Sequence, residues 1–165
     1  MHLAEPNLHI VLVRPEIPQN TGSIARLAAA VKARLHLVGP LGFSLADRYL
    51  KRAGLDYWPL VDLRTYEGWE QFCAIHREPA APKFFSTHAD ASYLDARYAR
   101  GDFLFFGSET AGLGRDFVAE RIDRAYRIPI FEPGVRSLNL ANAVSIVLYE
   151  ALRQTGLLGG QVRER

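Results

Sequence analysis

Residues 8–13 read Leu-His-Ile-Val-Leu-Val, and residues 21–33, beyond a loop holding Pro15 and Pro18, carry Ile24, Leu27, Ala28 and Val31 at i, i+3, i+4 and i+7. The first run reads as a buried strand and the second as an amphipathic helix. That strand-to-helix alternation recurs along the chain, and it admits few folds. Residues 35–38 form the next strand, stopped by Gly39 and Pro40. Residues 44–53 read as a helix ending at Gly54. Residues 57–61 read as a short strand that Pro59 confines to an edge. Residues 65–76 are expected as a helix, 83–87 and 102–106 as strands, 115–122 as a short helix and 125–130 as the last strand. Residues 138–155 close the chain as a helix with Gly156 as its C-cap. Asn20 or Thr21 is placed to cap the helix at 21–33. Strands separated by helices predict one α/β domain with a mostly parallel sheet, with residues 1–7 and 157–165 as loose ends.

The 165 residues suffice for one domain with a real core. A net charge of +2, without runs of like charge, permits a nucleic-acid partner but does not demand one. Cys73 is the single cysteine, so no internal disulfide and no cysteine-built zinc site is expected. It reads as a small buried residue in a helix, in a chain from a reducing compartment. The first residues have no signal-peptide pattern, and no stretch approaches the ~20 apolar residues of a membrane span. A cytoplasmic protein is the natural expectation, and no metal site is expected.

In open parallel sheets, ligands sit beyond the carboxyl ends of the strands, so the loops at 14–20, 86–92, 107–114 and 131–137 are the places for a site. The third of these, Gly-Ser-Glu-Thr-Ala-Gly-Leu-Gly, has Walker-like glycine spacing at Gly107 and Gly112. Leu113 and Gly114 stand where the phosphate-binding lysine and its hydroxyl neighbour should be. The dinucleotide fingerprint fails too. An adenosine-type ligand without a triphosphate fits this loop better.

Three constellations stand out. Arg26 lies opposite the apolar face of its helix, either as a solvated arginine or as a cation displayed beside the loop at 15–22; Asn20 is beside it. Glu109 in the glycine loop is either solvent-facing or receives a backbone or ligand donor. Arg136, Ser137, Asn139 and Asn142 crowd one helix start, where a single cap would use only Ser137 or Asn139. The closing helix is apolar over a broad arc, which suggests burial on more than one side and an oligomer interface.

Taken together, Pro15–Ala29 (PEIPQNTGSIARLAA), Phe105–Leu113 (FFGSETAGL) and the segments RIPI (127–130) and RSLNLANAVSIVLYEA (136–151) resemble the three motifs of the SPOUT RNA 2′-O-methyltransferases. The likeness is nearest to the small single-domain tRNA (cytidine/uridine-34-2′-O)-methyltransferases; KRAGLDYW (51–58) fits between motifs. The resemblance runs from about His9 to Gly156. It implies an α/β sheet with a carboxyl-terminal trefoil knot, a homodimer and S-adenosylmethionine held in the knot loops. By motif, the cofactor would meet Ser86, Thr87, Gly107, Ile128 and Ser137. Asn20, Arg26, Glu109, Ser137 and Asn139 would stand at the reaction centre, where a ribose 2′-hydroxyl attacks the methyl group without a metal. Arg26 would serve as base or orient phosphate and hydroxyl. Arg48, Lys51, Arg52 and Tyr57 would meet the anticodon loop of a tRNA, in this family a leucine isoacceptor. Ser108 and Ala111 depart from the family's usual G-P-E-T-R-G loop, and Ser23 stands where asparagine is frequent. Related readings keep the chemistry on another tRNA position or on ribosomal RNA; a different one is an RNA- or nucleotide-binding module without catalysis.

Overall fold

A computed structural model describes residues 4–54, 56–77 and 81–159. In chain order the elements are β1 (His9–Val13), α1 (Pro18–Val31), β2 (Arg34–Val38), α2 (Arg48–Gly54), a 3₁₀ turn (Trp58–Leu60), β3 (Asp62–Tyr66), α3 (Trp69–Ile75), β4 (Lys83–Phe85), β5 (Ala91–Ser92), β6 (Phe103–Phe106), α4 (Arg115–Ala119), a second 3₁₀ turn (Ile122–Arg124), β7 (Ala125–Arg127) and α5 (Leu140–Gln154). One seven-stranded sheet has the order β3-β2-β1-β6-β4-β7-β5, and every pairing in it is parallel. The expected parallel α/β architecture is therefore present.

The strand register divides the core. Leu8, Ile10 and Leu12 face Ile24, Ala25 and Ala28 of α1 and Val144, Val147, Leu148 and Ala151 of α5. Val11 and Val13 point the other way, toward Phe72 of α3 and Val118 of α4. β1 pairs with β2 from His9↔Arg34 to Val13↔Val38 and with β6 from His9↔Phe103 to Leu12↔Phe106. Strands covered on both faces need the near-continuous apolar run that β1 shows.

Several elements differ from the sequence expectation. α1 starts at Pro18, and neither Asn20 nor Thr21 caps it; both are buried within its first turns, and the cap position is Ile17 with no side-chain bond. Proline is suited to the first helical position, because its fixed φ is helical and its missing N–H would be unpaired there anyway. α2 is shorter than expected, since Ser44 and Asp47 divert the chain into turns by accepting the backbone N–H groups of Ala46 and Tyr49. Residues 57–61 are no strand. Pro59 lies in the 3₁₀ turn, and the edge strand is β3, which falls partly inside the predicted helix at 65–76. Its sequence Asp-Leu-Arg-Thr-Tyr is polar because one edge is open, and Asp62 there bonds Arg34 of β2 at 2.8 Å and Arg64 at 2.8 Å. β5 was missed, being two residues long. Cys73 is exposed rather than buried: α3 turns only Phe72 fully inward, and the next residue points outward. The strand expected at 125–130 stops at Arg127, which frees residues 128–130 for the loop region.

Two polar groupings lie inside the fold. Lys83 and Asp102 form an ion pair of 2.6 Å with side chains 6% and 4% exposed. His9, His36, Tyr66 and His76 form a hydrogen-bonded chain, with each neighbouring pair of polar atoms 2.8 Å apart. Burial depresses His36 to a pKa of about 2 and His9 to about 4, so these imidazoles are neutral near neutrality.

Candidate active site

The loops after β4, β6 and β7 and the start of α5 enclose a cleft of about 730 Å³. Its lining includes Ser86, Thr87, Gly107, Glu109, Ile128 and Ser137. Five of these are every position expected to meet a cofactor, and Glu109 is the sixth. The position follows the rule for parallel sheets: backbone groups and loop side chains converge beyond the strand ends.

The glycine loop is shaped from within. Gly107 runs against the backbone of Gly112; a Cβ on Gly107 would lie 1.9 Å from the carbonyl carbon of Gly112. Ser108 and Gly112 exchange backbone hydrogen bonds of 3.3 and 2.9 Å, which close residues 108–112 into a tight ring. Gly112 has φ +61°, in the left-handed region that glycine enters without strain.

That ring is fastened to the loop after β1. The half-buried Glu109 carboxylate accepts the N–H of Ile17 at 2.6 Å and of Glu16 at 3.1 Å, immediately before α1. Negative charge is favoured beside a helix N-terminus. Thr110 Oγ1 in turn donates to Glu16 Oε2 at 2.5 Å. That hydroxyl, followed by Ser108, holds the Glu16 carboxyl below its ordinary range. Of the two readings open for Glu109, the backbone-receiving one is realised. Glu16 and Thr110 are partners the sequence reasoning missed, since nothing in their spacing ties residue 16 to residue 110.

Asn139 answers for much of the crowding at the start of α5. Its Oδ1 accepts the N–H of Asn142 at 3.1 Å, making it the N-cap. Its Nδ2 donates to Oδ1 of the buried Asn20 at 3.0 Å. One carboxamide therefore caps α5 and ties it to α1. Ser137 and Arg136 are exposed side chains on the cleft wall, while Asn142 points outward from the helix.

Arg26 does not line this cleft. It stands on the exposed face of α1 with its guanidinium carbon 4.6 Å above the ring of Tyr57. Arg48 and Arg52 are exposed on α2, and Arg48 lies over its neighbour Tyr49; the side chain of Lys51 lies outside the described residues. A second cleft, of about 610 Å³, opens past β1–β3 beside Arg14, Trp69 and Phe117 and holds none of the predicted site residues. Among the described residues no three His, Cys, Asp or Glu side chains gather as a metal site.

The cleft joins apolar walls from Ile128, Ile130 and Leu138 to the hydroxyls of Ser86, Thr87 and Ser137, with a glycine where a close backbone approach is needed. An α/β domain with such a cleft beyond its strand ends has the place and the mixed apolar and hydroxyl lining of a small-molecule site. The chain is a member of the SpoU rRNA Methylase family, whose model matches residues 7–149. A tRNA (cytidine(34)-2′-O)-methyltransferase of Polaromonas sp. is 46% identical over 92% of this chain and 93% of its own. A solved structure from work on the 2-OH methylation of C/U34 on tRNA is 48% identical, covers 92% of this chain and 97% of its own, and superimposes with a TM-score of 0.80. The Streptomyces viridochromogenes methyltransferase AviRb, solved with AdoMet, is 27% identical over 92% of this chain and 59% of its own, with a TM-score of 0.74. The sheet is that of the SPOUT class, and its carboxyl-terminal part carries the trefoil knot of that class.

Proposed function

We propose that this chain methylates the ribose 2′-hydroxyl of the wobble nucleotide of tRNA, cytidine or uridine at position 34, using S-adenosylmethionine. The observation that carries the reading is the cleft after β4, β6 and β7, in a chain alike along nearly its whole length to enzymes named for that reaction. Bound there, S-adenosylmethionine supplies an activated methyl group. Gly107 lets the backbone approach the ligand, Ile128, Ile130 and Leu138 exclude water from it, and Ser86, Thr87 and Ser137 offer hydroxyl partners.

The remaining residues divide the work of placing the RNA. Glu109, with its oxygens engaged by Glu16 and Ile17, holds the glycine ring against the start of α1. Asn20 and Asn139 keep the loop at 131–137 in register with α1. A guanidinium keeps its charge, so the role suited to Arg26 is to orient an RNA phosphate and the attacking hydroxyl. In-line placement of that hydroxyl then supplies much of the acceleration. Arg48, Lys51 and Arg52 add cations for the anticodon loop, whose unpaired bases suit sequence-specific reading.

The enzyme works as a homodimer. Ile146 and Tyr149 of α5 and the 96% exposed Phe131 are exposed apolar residues that a second copy would cover. Among the described residues no helix is long and apolar enough to cross a membrane, and a cytoplasmic location is proposed on the pattern of the sequence. The substrates proposed are leucine isoacceptors. The test is methylation of total RNA, tRNA and ribosomal RNA together, by the purified chain, followed by nuclease digestion and mass-spectrometric mapping. A methyl on the ribose of nucleotide 34 is expected; a methyl at a different position, or on ribosomal RNA alone, would replace this substrate assignment.

A further inference from the structure

Arg26 and Tyr57 make a contact that the cleft does not explain. The guanidinium carbon of Arg26 stands 4.6 Å from the ring centroid, and its Nη2 donates to the Tyr57 hydroxyl at 3.3 Å. The two residues are 31 positions apart, so this is a tertiary contact between α1 and the 3₁₀ turn. Arg34, Arg64 and Arg153 are each paired with a carboxylate. Arg26 has no ion-pair partner among the described residues, so its charge is fixed in place by an aromatic face without being neutralised. Stacking on the ring uses one face of the guanidinium and leaves N–H edges for an anion.

Both ends of the contact are rigidly mounted. α1 is anchored by Ile24, Ala25 and Ala28, all fully buried. Tyr57 opens the 3₁₀ turn, where its carbonyl accepts the N–H of Leu60 at 2.8 Å, and the adjoining Trp58 packs on the main core. An arginine on an open helix face would otherwise spread over many rotamers. Here its headgroup is held before any RNA arrives.

We infer that Tyr57 is a positioning residue for methyl transfer, acting through Arg26. This rests on the reading of Arg26 as the group that orients phosphate and ribose hydroxyl. It also changes the role expected for Tyr57: the ring face under Arg26 is taken and is not open for stacking an RNA base. A positioning role acts on the rate of the bound complex, because a displaced guanidinium still permits RNA and cofactor to bind. A base-stacking role would act on RNA affinity.

The test compares single-turnover methyl transfer at saturating tRNA and S-adenosylmethionine for the unaltered chain, Tyr57→Phe, Tyr57→Leu, Tyr57→Ala and Arg26→Ala, with dissociation constants for both ligands measured alongside. Tyr57→Leu retains apolar volume, so a folded variant without a π face is secured even if Tyr57→Ala is unstable. Tyr57→Leu and Tyr57→Ala should lower the saturated rate by about 10- to 100-fold, the scale of a small misplacement of a reacting group. Tyr57→Phe retains the ring and loses one hydrogen bond, so its loss should stay within about fivefold. Affinity for tRNA should change by less than the rate in all three. Full rates in Tyr57→Leu, or a defect that vanishes at saturating tRNA, would overturn the inference. A fully active Arg26→Ala would remove Arg26 from the proposed chemistry and the inference with it, whereas full rates in Tyr57→Leu beside an inactive Arg26→Ala would overturn the inference alone.

Discussion

Replacing Lys83 by methionine removes the cation from a carboxylate that has almost no access to water. Asp102 Oδ2 now meets Lys83 Nζ at 2.6 Å and the Ala99 N–H at 2.8 Å, and its side chain is 4% exposed. After the change only the Ala99 N–H remains of those two donors. Breaking one half of a buried pair destabilises by about 3–5 kcal/mol, because the surviving charge is left uncompensated. Against a total stability of roughly 5–15 kcal/mol, that is about a fifth of the margin or more. With a urea m-value near 2 kcal/mol/M, the unfolding midpoint should fall by about 2 M. The measurement is urea unfolding followed by circular dichroism, for Lys83→Met and for Lys83→Met with Asp102→Leu. The double variant should recover most of the loss, since two apolar groups in that space leave no orphaned charge. Lys83 opens β4 and Asp102 precedes β6, at the strand ends opposite the cleft, so methyl transfer per folded molecule should be unaltered well below the unfolding midpoint. A destabilisation under about 1 kcal/mol, or a double variant no better than the single, would refute this account of the pair.

Other outcomes are open to measurement. Gly107→Ala drives a Cβ into the Gly112 backbone and should open the ring at 108–112; calorimetry should show S-adenosylmethionine binding lost or at least about tenfold weaker, the scale of ~1.4 kcal/mol. Asn139→Ala removes a helix cap and strands Asn20, so thermal or urea unfolding should show a loss of about 2 kcal/mol, and a value near zero would mean that neither bond matters. The depressed folded-state pKa values of His9 and His36 set a pH dependence. Unfolded, both imidazoles take up a proton below about pH 6.5; folded, His9 does so near 4 and His36 near 2. Their contribution is therefore fully present above pH 6.5 and is lost as pH falls. Each approaches a loss of about 1.4 kcal/mol per pH unit well below 6.5, so roughly 3 kcal/mol is lost together between pH 6.5 and 5. Urea midpoints across that interval should show the slope, and a flat profile would contradict it.

The sheet was legible because its central strands are short, mostly apolar runs set between helices, and α1 because its apolar residues fall on one face. The lining of the cleft was legible through its motifs, and Asn139 as a cap through its place before an apolar helix. What failed did so for local or nonlocal reasons. β3 is short, polar and continuous with helix-forming sequence, and only pairing with β2 makes it a strand. Cys73 looked interior because cysteine is usually buried, but α3 is a two-turn helix with one fully buried side chain, Phe72. The grip of Glu109 on Glu16 and Ile17, and the seat of Arg26 on Tyr57, depend on loops brought together by the fold. No periodicity encodes them. The knot is less visible still, since threading is a property of the closed path and not of any segment.

The chain His9–His36–Tyr66–His76 has a direction as well as a composition. Each neutral imidazole carries one hydrogen, and the Tyr66 hydroxyl carries one. Each of the three links needs one of these hydrogens, so, with the Tyr66 hydroxyl hydrogen spent inside the chain, every donor points the same way along it. Either His9 donates to His36, His36 to Tyr66 and Tyr66 to His76, or all three bonds run in reverse. With that hydroxyl donating inside the chain, no link reverses alone without leaving two hydrogens, or none, in one gap. The tautomer of the partly exposed His76 therefore fixes which nitrogen of His9 carries hydrogen two strands away, and nitrogen chemical shifts at one ring should report the state of the other.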